Sequence, residues 1–416
     1  MTPTRQMTAS RAQACAHTIF SALADPDQVR YSTTTPAVRS RPQSLGGGAA
    51  GVALAHITAA RTGHAPWRTA HTWLERAAAG PLTGADNATL WFGAPALALL
   101  TTTAAMGPAH LATARARLEE ATERLTRQRL ERAHARIDRG ERPPLAEFDL
   151  IQGLAGLGAY HLHAHPEADI TSQVLSYLVR LTLPLPGDPE QLPGWWSGQS
   201  PHGTVTADFP GGHANLGMAH GIAAPLAVLS LALRQGVTVD GDHDAIGRVC
   251  AFLDTWRNRG PKGAWWPYYI TRAHLGTGPL AFTTRQRPSW CYGTPGLART
   301  QQLAALALGD EDRRAMAEQT MADCLRDPAQ LDSLTELGLC HGWAGLLHCA
   351  WRINSDAPGS PLSADLDRIA DTLISRVEAT ATRDPEFLDG SAGIALALHT
   401  LATGSTPAWD ACLALA

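Results

Sequence analysis

The sequence sets Cys340 directly beside His341 and brackets the pair with Gly338, Gly342 and Gly345. Adjacent residues on a helix point about 100° apart, so this thiol and imidazole can serve one point only from an irregular turn, which glycine permits. Two soft ligands on one turn suit a metal ion. Protein zinc sites use four ligands, or three and an open position for water or substrate, so a third ligand must come from elsewhere in the chain.

Internal repetition locates it. Seven segments share a small-x-x-small turn, beginning at Gly48, Gly93, Gly153, Gly221, Gly293, Gly342 and Gly390, with spacings of 45, 60, 68, 72, 49 and 48 residues. If the turns are equivalent, residues at matching offsets lie at the same end of the fold. Cys291 and Cys340 both stand two residues before their turn glycine. The expected metal set is therefore Cys291, Cys340 and His341, with the fourth zinc position open. His220 stands immediately before Gly221 and Asp149 four residues before Gly153, so both approach the same rim and put a base near the metal.

The elements that must position these groups follow from the same pattern. Each turn leads into a run rich in Ala and Leu, as expected of a buried helix. Between the turns lie polar helical stretches such as 310–327, suited to an outer layer. One inner and one outer helix fit in about 45 residues with short connections. Seven pairs predict an all-α protein, an α/α toroid with a double ring of seven inner and seven outer helices, as a single domain over residues 1–416. An outer helix at about Ser10 to Ala24 and a tail from Pro407 to Ala416 would close the ring. The Pro, Gly and Trp-rich stretches Pro184 to His213 and Arg257 to Pro288 read as rim insertions. Trp195, Trp196, Trp265, Trp266, Trp290 and Trp343 are expected to divide between core packing and the lining of a peptide-binding opening. Leu111 to Arg142 reads as a solvated, charged outer helix whose net positive charge suits an acidic partner.

Bulk composition narrows the function classes. With 34 basic and 38 acidic side chains and a net charge of −4, the chain carries no general electrostatic footprint for nucleic acid. Its seven cysteines are odd in number and scattered, unlike a secreted disulfide framework, which points to a reducing cytoplasm. The sequence shows neither a signal-peptide pattern nor a run of 18 apolar residues, so no transmembrane segment is expected. Attachment to a membrane would then be peripheral, through partners.

The motifs Trp290-Cys291-Tyr292-Gly293, Leu339-Cys340-His341-Gly342, Ala219-His220-Gly221-Ile222 and the turn from Asp149 to Gly156 together resemble the lanthionine synthetase C-like family. The likeness is greatest to the stand-alone cyclases of class I lantibiotic pathways and runs through all seven repeats. The resemblance implies a zinc enzyme that adds a peptide cysteine thiol across the double bond of dehydroalanine or dehydrobutyrine, closing a lanthionine or methyllanthionine ring. It implies zinc on Cys291, Cys340 and His341, with His220, Asp149, Arg287 and Tyr292 as the surrounding catalytic groups. Arg287 stands four residues before Cys291, where the family places its arginine. The implied partners are a dehydrated precursor peptide, a dehydratase and an exporter.

The chemistry makes sense of these residue types. A free thiol has a pKa of about 8.5, so at neutral pH only a small fraction is the nucleophilic thiolate. Zinc deprotonates a bound thiol, and an open position admits the substrate sulfur. Attack on the β-carbon moves charge onto the acyl oxygen, and a proton must then reach the α-carbon. His220 could handle that proton, Asp149 could fix its tautomer, and Arg287 or Tyr292 could stabilise the oxyanion. The competing readings are a structural zinc site, a satisfied core histidine at His220, a helix cap at Asp149, a loop ion pair at Arg287, and plain packing for Tyr292, His348 and Cys349. At the level of the whole chain the alternatives are an enzyme adding glutathione to dehydroamino acids and a toroid that only binds peptide.

Overall fold

The computed structural model describes residues 3–31, 42–279, 282, 285–357, 362–380, 384–405 and 407–416. A helix follows each of the seven turns. Ala49–Arg61, Ala94–Ala104, Leu154–Ala164, Ala223–Arg234, Thr294–Leu308, Trp343–Ser355 and Ser391–Thr403 begin one or two residues after the turn glycine. These helices are buried almost all round, which accounts for their apolar composition without a polar stripe.

The turns work because the loop backbone crosses the first turn of its own helix. The amide of the second small residue donates to a carbonyl seven residues upstream: Gly156 to Asp149 at 3.3 Å, Gly296 to Ser289 at 3.4 Å and Gly345 to Gly338 at 3.2 Å. A Cβ on Gly296 would lie 2.2 Å from the Trp290 oxygen, and one on Gly345 only 2.0 Å from the Leu339 oxygen. Only glycine leaves room for that crossing. The residues just before each turn are thereby fixed at the N-terminal end of a buried helix, where the helix dipole favours negative charge.

The chain gathers into two compact units. In the first, Met1–Thr122 with Asp332–Asp410, the inner helices Trp343–Ser355, Ser391–Thr403, Ala49–Arg61 and Ala94–Ala104 pack in that order. Ser363–Glu378 covers Trp343–Ser355 with Leu366, Ile369, Ala370, Leu373, Ile374 and Val377, a stripe at helical spacing, and Trp67–Ala77 covers Ala49–Arg61. The N-terminal helix spans Pro3–Ala22, starting seven residues sooner than the sequence pattern suggests, and packs on Ser391–Thr403. Asp410 in this unit is fully buried; its carboxylate accepts from His348 Nε2 at 2.7 Å and from Arg352 at 2.6 Å, so His348 is a core residue.

In the second unit, Glu123–Leu331 with Ala411–Ala416, the inner helices Leu154–Ala164, Ala223–Arg234 and Thr294–Leu308 pack in order. They are backed by Asp169–Leu181, Asp242–Thr255 and Glu311–Arg326. Asp310 caps the last of these by accepting from the Arg313 amide at 2.9 Å. The terminal segment also belongs here: Trp290 Nε1 donates to the Leu413 carbonyl at 3.2 Å, and Arg299 donates to the Leu415 carbonyl at 2.8 Å.

The build is mostly helical, as expected, and the expected division of the tryptophans needs correction. The Pro and Gly-rich stretches contain short strands: His213–Asn215 pairs antiparallel with Tyr269–Thr271, and Asn258–Gly260 with Gly263–Trp265. Three-residue strands are too short to show an alternating pattern. All six tryptophans named above are core, between 1% and 6% exposed. The ring nitrogens of Trp196, Trp266 and Trp343 donate to the carbonyls of Gly211, Leu253 and Leu334, which fixes each ring in the interior. The helix Ala112–Asp138 lies within the charged stretch Leu111 to Arg142, and Arg136 pairs with Glu147 at 2.7 Å instead of facing solvent.

Candidate active site

Cys340 and His341 stand side by side just ahead of Gly342 in the first unit, and Cys291 stands at the matching offset ahead of Gly293 in the second. A tetrahedral zinc takes its ligands from thiolates, imidazoles and carboxylates. Two thiols and an imidazole are the donor set such an ion takes, and three protein ligands leave one position for a substrate.

Each ligand is set by its turn. The Cys340 amide donates to the Leu388 carbonyl at 2.9 Å, tying this loop to the loop before Gly390. A Cβ on Gly338 would lie 2.6 Å from Asp389 Cα, so the two loops touch backbone to backbone. His341 Nδ1 stands 3.7 Å from Asp389 Oδ1, beyond hydrogen-bond range but within reach of electrostatic attraction. Cys291 is 7% exposed; its carbonyl accepts from the amides of Met218 at 2.8 Å and Ala219 at 3.3 Å. Its Sγ lies 3.5 Å from Ser289 Oγ, and the same hydroxyl donates to the Tyr292 carbonyl.

That pairing with Met218 and Ala219 brings in the second group, because His220 is the next residue. His220 Nδ1 and Asp149 Oδ2 are 2.6 Å apart. With the carboxylate accepting, Nδ1 carries the proton and Nε2 is left as the free base of the neutral ring. Asp149 is 1% exposed, and its other oxygen accepts from the amides of Gln152 at 2.6 Å and Gly153 at 2.9 Å. One carboxylate oxygen thus braces the turn ahead of the helix Leu154–Ala164, without capping the helix itself, and the other meets His220. Burial pulls the His220 pKa down, but the hydrogen bond and charge of Asp149, with a smaller contribution from Cys291, outweigh it and raise the value above 6.5.

Tyr292 lies with its ring 6.5 Å from that of His220, centroid to centroid. Its Oη accepts from Asn215 Nδ2 at 2.9 Å. Burial, opposed by this hydrogen bond, pushes the phenol pKa well above its ordinary value, so the group is neutral. Arg287 contributes its carbonyl to Tyr268 Oη at 3.2 Å, and among the described residues its buried Nε has no hydrogen-bond partner. Sequence reasoning passed over Asn215 and Ser289, although Ser289 stands four residues before Gly293, as Asp149 does before Gly153, and Asn215 six before Gly221, as Arg287 does before Gly293. A surface groove of about 1390 Å³, lined by Arg5, Asp367, Asp371 and Arg376 among others, holds none of these residues.

Residues 39–414 match the family model for lanthionine synthetase C-like protein. The chain belongs to that family. Among solved structures it is similar to nisin cyclase, with a TM-score of 0.75 and 19% identity over 90% of this chain and 92% of that one. The fold is accordingly the α/α toroid of that enzyme. Among curated proteins, the nisin biosynthesis protein NisC of Lactococcus lactis subsp. lactis is 23% identical over 209 residues. That alignment covers 49% of this chain and 48% of the relative, so the chain matches about half the length of this curated protein.

Proposed function

We propose that this chain, acting as one catalytic unit, is a zinc-dependent lantibiotic cyclase that closes lanthionine or methyllanthionine rings in a dehydrated precursor peptide. The observation that carries the reading is that Cys291 and the Cys340–His341 pair stand at matching offsets of their glycine turns in a chain of this family. Cys291, Cys340 and His341 would hold the zinc. When bound, it supplies a Lewis acid that keeps a substrate thiol deprotonated and nucleophilic at neutral pH.

The remaining work falls to the chain's own groups. His220 Nε2 accepts the proton leaving the substrate thiol, and the imidazolium is stabilised by Asp149 at 2.6 Å from the opposite nitrogen. The new C–S bond takes up the sulfur pair as the C=C π pair moves toward the acyl oxygen. Arg287 and the neutral Tyr292 hydroxyl stabilise that oxygen. Returning one proton to the α-carbon completes the addition, and His220 holds one at the right moment. The protein is proposed to act in the cytoplasm beside a dehydratase and an exporter that handle the same peptide; no described helix is long and apolar enough to cross a membrane.

Ring closure leaves the peptide mass unchanged, so the test counts free thiols. Incubation of a dehydrated, cysteine-containing peptide with the protein should protect its thiols from alkylation faster than the uncatalysed reaction does, and the Cys340→Ala variant should not. Thiols that stay open at the background rate would remove the cyclase reading. Faster formation of a glutathione adduct than of rings would favour the glutathione-adding alternative.

A further inference from the structure

Asn215 is fully buried and sits at the end of the strand His213–Asn215, two residues before Gly217 and five before His220. Its carboxamide orientation is settled by its neighbours. Oδ1 accepts from the Gly217 amide at 3.0 Å, which turns Nδ2 toward Tyr292 Oη at 2.9 Å. A carboxamide nitrogen only donates, so the phenol oxygen must be the acceptor in this pair.

The consequence concerns the phenol's own proton. It cannot point at Asn215, where an N–H already points at it, and among the described residues nothing else accepts it. The ring has little freedom to turn away: a Cβ on Gly217 would lie 2.5 Å from Tyr292 Cε1, and the Tyr292 backbone is held by Ser289 through its amide at 3.2 Å. Tyr292 is therefore held as a donor with an unfilled direction, 6.5 Å from the proton-handling ring of His220. One dehydroamino-acid residue, whose acyl oxygen and α-carbon are about 2.4 Å apart by standard bond lengths, can meet both groups.

We infer that Asn215 is a positioning residue that presets the Tyr292 hydroxyl to donate to the acyl oxygen of the dehydroamino acid. This rests on the cyclase reading above. Asn215→Asp isolates it, because a carboxylate still accepts from Gly217 but captures the phenol proton instead of leaving it for substrate. Asn215→Ala removes both the donor to Tyr292 and the acceptor for the Gly217 amide, and the Tyr292→Phe background separates the two losses.

The test compares kcat and KM for ring closure in wild type, Asn215→Ala, Asn215→Asp, Tyr292→Phe and the Asn215→Ala/Tyr292→Phe double variant, with zinc content and thermal midpoint measured alongside. Asn215→Ala should lower kcat about tenfold with KM changed less than about twofold, and Asn215→Asp should lower kcat further. In the Tyr292→Phe background the Ala substitution should cost nothing more. Equal losses in both backgrounds, or an Asn215→Asp variant as fast as wild type, would overturn the inference while leaving the cyclase reading intact. A second readout needs no turnover: the affinity of a dehydrated peptide with alkylated cysteines should be lower for Asn215→Asp than for Asn215→Ala. Wild-type protein that binds this peptide but closes no rings in its unalkylated counterpart would overturn the cyclase reading, and equal affinities of the two variants would overturn the role of Asn215.

Discussion

At the scale of single residues, the pair His220 and Asp149 makes the sharpest demand. The carboxylate raises the His220 pKa against the opposing pull of burial, so loss of the carboxylate charge should lower it. If neutral His220 is the base, kcat/KM rises with pH through that pKa. The midpoint of this limb should lie above 6.5 in wild type and move to lower pH in Asp149→Asn, with the plateau reduced about 100-fold, as for loss of a general base's orienting partner. A pH profile of ring closure for the two proteins checks both statements. An unmoved limb would mean that another group titrates. The candidate residues came from turn offsets, Cys291 from its own and His220 and Asp149 from theirs, and the structure pairs the last two at 2.6 Å. Asn215 was not legible in this way, because its role depends on the hydrogen bond to Tyr292 in the next repeat, which its spacing from Gly221 does not announce.

At the scale of elements, the glycine turns carry the site. Gly345 lies where the Leu339 carbonyl crosses the first turn of its helix, and a methyl there would sit 2.0 Å from that oxygen. Gly345→Ala should cost about 1 to 3 kcal/mol of stability through forced backbone movement. Because Cys340 and His341 belong to the displaced loop, it should also weaken metal binding. Gly247→Ala, in the outer helix Asp242–Thr255, is the contrast: a Cβ there meets nothing within 4 Å, so the protein should gain about 0.5 to 1 kcal/mol from helix propensity. Thermal melts of both variants, with zinc affinity by chelator competition, would separate the crowded glycine from the ordinary one. The repeat pattern disclosed these turns because the close approach admits so few residue types. It said nothing of the tryptophans' burial, since a Trp in a Pro and Gly-rich loop looks the same whether its ring faces solvent or donates inward to a backbone carbonyl.

At the scale of the whole molecule, the buried inner helices carry histidines that stabilise only when neutral. His56 Nε2 lies 3.0 Å from the Leu23 carbonyl, His161 Nε2 2.9 Å from Thr126 Oγ1 and His399 Nε2 2.8 Å from Thr62 Oγ1. Among the described residues the Nδ1 of each has no partner, so a second proton would be an unpaired charge in the core. Burial lowers their pKa values from 6.5 to about 4, about 3 and about 4. For a base depressed in the folded state the unfolded chain binds protons first, so stability is fully present above 6.5 and falls as pH drops toward 4. Each should contribute about 2 kcal/mol less at pH 5 than at neutral pH, and His56→Gln should flatten the dependence of the melting midpoint on pH. The all-α build and its seven inner helices were readable in the sequence. These internal pins were not, because a histidine in an apolar run does not show which outer carbonyl or hydroxyl it will reach. The central claim, that Cys291, Cys340 and His341 form one metal centre, is tested most directly by zinc per chain after purification in metal-free buffer, for wild type and Cys291→Ala. One tightly held zinc in wild type, absent from a variant with unchanged circular dichroism, is the expected result; folded wild-type protein without zinc would contradict it.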